Sequence, residues 1–258
     1  MALETRKRII LLFCGLVLLP QLNNQAKADN HLKGCSPAKP GRYVVMGTGS
    51  NNGVPIARLM LEEWNSNGSV NGTYFKRVGQ DFNEGAYTGN WKDHANCVVS
   101  INRITGDSTS NAWAIVNQQG MPSYSISSTP KTVLTMKYFN QGKETCSANT
   151  LNGVILSQQK GLSYAADQWL PNVVVQREVW GQGRVKGLAL SSYDGKIESL
   201  DYSGTINAKP NCTALIKEVD SLGVPYTYKA IILSGGRGYI YLQTQGKDLT
   251  LGLLEKEN

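Results

Sequence analysis

The chain has 258 residues, 41% hydrophobic, with 26 Lys and Arg against 19 Asp and Glu, five cysteines and two histidines. That length can bury more than one core. The mild basic surplus contains no long Lys/Arg run after the N-terminus, which argues against a nucleic-acid-binding surface. Two histidines and no C-x-x-C spacing argue against zinc, and no cofactor is implied.

The first 28 residues read as a secretory signal peptide: basic Arg6, Lys7 and Arg8, an apolar run over residues 9–19, and Ala26-Lys27-Ala28 as a small-x-small cleavage site. Cleavage after Ala28 would remove Cys14 and four of the basic residues, leaving 22 basic against 18 acidic. The apolar run is too short to span a bilayer and no later one is longer, so the expected location is secreted or periplasmic, without a membrane span. Four cysteines in an exported chain read as two disulfides.

From residue 29 onward the chain repeats itself. With a constant offset of 115, Glu63/Glu178, Gly68/Gly183, Val70/Val185, Gly72/Gly187, Tyr87/Tyr202, Gly89/Gly204, Asn96/Asn211 and Cys97/Cys212 match, eight identities in 35 positions. Ordinary composition gives about two. Farther out the offset drifts by loop-sized steps: Cys35/Cys146 at 111, Gly41/Gly153 and Gly49/Gly161 at 112, Ala114/Ala230 and Gly120/Gly236 at 116. Residues 29–142 and 143–258 are therefore expected to form two copies of one domain, each able to fold alone. Because duplication carries a pairing with its frame, the expected disulfides are Cys35–Cys97 and Cys146–Cys212. In the chain-entropy model a closed loop of this length contributes about 4 kcal/mol at most.

In chain order, the first copy shows eight short β-rich runs, near 42–48, 57–64, 69–76, 84–92, 97–104, 111–117, 122–127 and 131–138, separated by Gly, Asn and Asp turns. The first two tempt a strand-glycine-helix reading for a dinucleotide. The second copy excludes it, since Val173-Val174-Val175 at the corresponding place is β-branched, and Gly53 falls one residue late for G-x-G-x-x-G. Eight sequential strands per copy predict an all-β fold of two tandem antiparallel up-and-down barrels, with β-sandwiches as the alternative. Strands of about seven residues are short for an outer-membrane barrel.

Cys35-Ser36, Gly41-Arg42-Tyr43, Gly49-Ser50 and residues 68–74 (Gly-Ser-Val-Asn-Gly-Thr-Tyr) resemble the opening half of an avidin or, more loosely, a lipocalin-like calycin barrel. The resemblance implies a barrel with room for one small ligand. Biotin is not implied: Tyr43 stands where avidins carry Trp, residues 44–47 offer no Asn, and the stacking tryptophans have no matches.

Asp93-His94 beside Cys97 suggests a thiol nucleophile and base, but Cys97 is needed for the disulfide and the second copy has Ala208-Lys209, so a solvated loop is the simpler reading. Tyr87, Gly89 and Trp91 share one strand face, where the glycine could leave a gap between aromatic walls. Tyr74 and Trp91 are replaced by Ala189 and Ile206 in the second copy, which directs a ligand to the first. Tyr74, Tyr87 and Trp91, with Trp113, are the expected lining of a ligand cavity. Asn67, Asn71 and Asn211 fit the N-glycosylation acceptor pattern. No catalytic constellation repeats, so the expected function is non-enzymatic: binding of a small apolar or aromatic molecule, or, as the alternative, of another protein through the loops, as an enzyme inhibitor or adhesin would.

Overall fold

The computed structural model describes residues 34–106, 108–193 and 195–257. The expected signal peptide and its cleavage site lie outside them. Among the described residues no helix is long and apolar enough to cross a membrane.

The protein is all-β. Eight antiparallel strands, β1 (Gly41–Asn51), β2 (Val54–Trp64), β3 (Ser69–Val78), β4 (Asp81–His94), β5 (Val98–Thr105), β6 (Ser108–Val116), β7 (Pro122–Ser127) and β8 (Thr132–Gln141), close into a barrel through β8–β1 pairing. A second barrel repeats the order with β9 (Gly153–Ala165), β10 (Gln168–Gly181), β11 (Arg184–Tyr193), β12 (Lys196–Ala208), β13 (Thr213–Asp220), β14 (Pro225–Ile232), β15 (Gly238–Gln243) and β16 (Asp248–Lys256). Tight turns between consecutive strands and closure without a free edge explain why period-two alternation suffices to build both.

Strands run from 6 to 14 residues, so strand length does not separate this fold from a membrane barrel. On the outer face of β4, Glu84, Ala86, Thr88, Asn90 and Lys92 are exposed, as are Ser199, Asp201, Ser203 and Thr205 on β12, where a lipid-facing wall needs an apolar band.

The repeat is offset differently at β2. Tyr87 donates to Glu62, and Tyr202 donates to Glu178, so the equivalent pair is Glu62/Glu178 rather than Glu63/Glu178. Trp64 and Trp180 then coincide, each donating its indole N–H to that carboxylate. The β10–β11 hairpin is one residue shorter than β2–β3, so a constant offset of 115 sets the inward Glu178 against the outward, exposed Glu63. The conserved tyrosine lies over a glycine of the neighbouring strand. A Cβ on Gly72 would sit 2.6 Å from the Tyr87 ring, and Gly187 relates to Tyr202 in the same way.

One end of each barrel is closed. Cys35–Cys97 and Cys146–Cys212 are disulfide-bonded, 62 and 66 residues apart. In the first barrel the bridge fastens a segment that lies across the floor: Ser36 and Lys39 donate their backbone N–H groups to Gln118 and Gly120, and the Ala38 N–H reaches Asp93 at 3.0 Å. Gly120 and Gly236, both at positive φ, admit the carbonyls of Pro37 and Thr150, which a Cβ would collide with.

Each barrel has its own core, and a third core joins them. Val44, Ala57, Leu59, Leu61 and Phe75 point outward from β1–β3 and pack on Ile231, Leu233, Ile240, Leu242, Leu249 and Leu251. The fully buried Arg77 donates to the carbonyls of Gln243, Gln245, Gly246 and Asp248, capping the β15–β16 turn of the second barrel. Leu59→Ala in the whole protein will accordingly cost ~2–5 kcal/mol. Residues 29–142 expressed alone will form their barrel but self-associate through the uncovered face, and Leu59→Lys will return the fragment to a monomer. Light scattering after size exclusion checks both. A monomeric fragment as stable as the parent would show that the third core contributes little.

Candidate functional site

The lumen of the first barrel has a charged centre. Glu62, buried to 0% exposure, pairs with the Arg103 Nε at 2.5 Å and also accepts from Tyr87 (2.6 Å) and Trp64 (2.9 Å). Arg103 donates in turn to Tyr138 at 3.0 Å, whose hydroxyl also accepts from Ser125 at 3.3 Å. Burial pushes the Glu62 carboxyl up, but the Arg103 guanidinium and the three donors outweigh it and hold it below the usual carboxylate range. Burial likewise works against the charge of Arg103, and the Glu62 carboxylate more than restores it.

Below this pair, toward the disulfide, the lumen is packed. Trp91 stacks on Trp64 with centroids 5.4 Å apart and donates to the Asn65 carbonyl. The gap expected beside Gly89 is not there: a Cβ at that position would run into the Asn102 carbonyl of β5, so the glycine serves close strand approach. Above the pair, at the end formed by the β1–β2, β3–β4, β5–β6 and β7–β8 turns, lies a cavity of about 490 Å³. Met60, Tyr74 and Tyr87 form its less polar wall, and Arg58, Lys76, Arg103 and Lys131 bring positive charge, with Asn, Ser and Thr side chains at the rim.

Of the residues expected to line a cavity, Tyr74 and Tyr87 do so together, their rings 6.4 Å apart. Trp91 faces the lumen but fills the closed end. Trp113 lies on the outer face of β6, 45% exposed, with its ring 5.1 Å from His94. Asp93 and His94 end β4 rather than forming a loop; Asp93 holds the floor segment and His94 bonds Ser100 at 2.8 Å, while Cys97 is in its disulfide. The sequence reading missed Arg58, Glu62, Lys76 and Arg103. The signal was the alternation in β2, where Arg58, Met60 and Glu62 share one face.

The second barrel reverses this charge. Gly89 pairs with Arg103 and its equivalent Gly204 pairs with Glu218, so a glutamate occupies the arginine's place. Glu178 accepts from Trp180 (2.6 Å), Tyr202 (2.8 Å) and Tyr239 (2.8 Å). Burial raises both carboxyls, and Glu178 raises Glu218 further, well above the ordinary range. Tyr228 and Tyr241 fill the lumen here, with Gly252 making room for the second ring, and a cavity of about 100 Å³ remains, lined by Glu198, Glu218, Asp220 and Asp248.

No family model and no curated protein sequence matches the chain. Among solved structures, it is similar to a protein of unknown function from the DUF3598 family of Nostoc punctiforme, at 9% identity and a TM-score of 0.28, over 85% of this chain and 96% of that one. The two closed eight-stranded barrels stand on this chain's own strand pairing.

Proposed function

We propose that this is a non-enzymatic binding protein that holds one small organic molecule in the open end of its first barrel. The observation that carries the reading is the asymmetry between two copies of one scaffold: the first keeps about 490 Å³ where tyrosines reduce the second to about 100 Å³. The larger volume falls within the range of small-molecule sites, roughly 300–1,000 Å³. Closed up-and-down barrels fit the calycin-type reading of the sequence, and two disulfides fit an oxidising, secreted or periplasmic setting. The lining modifies the ligand expected from sequence, since a purely apolar molecule would leave Arg58 and Lys76 desolvated without compensation. Native mass spectrometry of protein from its natural source should show a retained organic compound that denaturation releases. Bare protein under gentle conditions, with no small molecule recovered, would move the alternative to first place.

That alternative, docking of another protein, has its own observation. On the outer face of β6–β7, Trp113 pairs with Ile126 and Ile115 with Tyr124, and all four side chains are exposed. Contiguous apolar surface of this kind marks interaction sites.

A further inference from the structure

We infer that the ligand of the first barrel is a small organic anion, a carboxylate, phosphate or sulfate on a compact body, with its charged group received by Arg58 and Lys76. The inference rests on the reading of that cavity as a ligand site.

Arg58 on β2 and Lys76 on β3 stand directly opposite each other in the ladder and both face the lumen. Like charges in direct cross-strand register destabilise a sheet, and burial increases the cost. The described residues contain two ion pairs, Arg103–Glu62 and Lys229–Glu84, and neither involves Arg58 or Lys76. Arg58 donates one Nη1 bond to Ser110 at 3.1 Å, while its Nε is buried without a partner. Among the described lining residues no carboxylate faces Arg58, Lys76 or Lys131. Arg103 deeper in the lumen is already satisfied by Glu62 and Tyr138, so it adds field without being free to bind. Burial and the repulsion from Arg103 weaken the protonated form of Arg58, and burial with the charge of Arg58 does the same to Lys76. An empty site of this composition strains the barrel. An anion would relieve it, because a guanidinium presents a fork that matches two oxygens and Lys76 adds a point charge.

The second copy serves as a control for the scaffold. Val174, four residues before Glu178, occupies the position of Arg58, and its ladder partner Ser191 that of Lys76, so closing the barrel does not itself require cations there. The hydroxyls of Thr105, Ser108 and Thr129 at the rim can donate to further oxygens, and Met60 and Tyr74 offer a surface for the ligand's body.

The test uses the full protein and compounds sharing one ring: benzoate, phenyl phosphate and phenyl sulfate against benzamide, benzyl alcohol and benzylamine. Thermal shift and calorimetric titration should show at least one anion binding tenfold or more tighter than the neutral and cationic compounds, with that binding lost in Arg58→Met. Ligand-free Arg58→Met should melt higher than the parent, the reverse of what a structural arginine would give. Equal shifts across the charges, a preference that survives Arg58→Met, no shift from any anion, or a lower melting point for ligand-free Arg58→Met each overturn the inference. A neutral compound retained by protein from its natural source would then leave the small-ligand reading standing, which separates the two failures.

Discussion

Arg103→Met will destabilise the first barrel by about 3–5 kcal/mol, the expected cost of stranding a buried carboxylate. Arg103 carries the only cation in ion-pair contact with Glu62 among the described residues, and Glu62 has no exposure through which water could replace it. Tyr87 and Trp64 would still donate to the carboxylate, but two neutral donors do not balance a full charge in a lumen. The double variant Glu62→Gln with Arg103→Met should regain most of the loss, because the amide oxygen can accept from Trp64 while its NH2 donates to the Tyr87 hydroxyl, without the charge. Urea denaturation followed by near-UV signals of Trp64 and Trp91 measures the effect. If the double variant is as unstable as Arg103→Met, the damage comes from lost packing rather than from the unpaired charge.

Acidification will affect the two barrels in opposite directions. Glu178 and Glu218 have folded-state pKa values raised by burial and, for Glu218, by the neighbouring carboxylate. The folded second barrel therefore holds protons that the unfolded chain releases, so its stability is full below the unfolded value of about 4.3 and is lost as pH rises through the folded values. Glu62 is held low, so its contribution is present above the unfolded value and disappears as pH falls through the folded one. Between pH 7 and pH 5 the second barrel should gain protection while the first changes little, and below about pH 4 the first should weaken. Glu218→Gln fixes the neutral form and should stabilise the second barrel at pH 7, the direction that a raised carboxyl pKa requires. Hydrogen exchange in β10, β12 and β13 against β2, β4 and β5, corrected for intrinsic rates, resolves the barrels separately. Protection in β12–β13 that rises from pH 5 to pH 7, or an indifferent Glu218→Gln, would reject the raised carboxyl pair.

The sequence by itself determined the strand count, the duplication and the two-barrel architecture. These depend on local chemistry: turn glycines and asparagines placed every eight to twelve residues, and alternation between them, leave few other ways to hide sheet edges. The disulfides followed because the copies share a frame. Which face of a strand points inward was decided only by tertiary structure, and β2 shows why. Its more apolar face, Ala57, Leu59 and Leu61, lies outside the barrel, while Arg58, Met60 and Glu62 face the lumen. Alternation defines two faces without saying what covers each, and here the second barrel buries the outer one. A one-residue difference between two hairpins was enough to conceal the equivalence of Glu62 with Glu178, because a slip of one in a strand exchanges inside for outside. The exchange of Arg103 for Glu218 required the register across β4–β5 and β12–β13, since a single charged residue in an alternating run reads equally well as a solvent-facing one. The cavity itself depended on side-chain volume summed around eight strands, which Tyr228 and Tyr241 take up in the second barrel while about 490 Å³ stays open in the first. No window of sequence contains that sum.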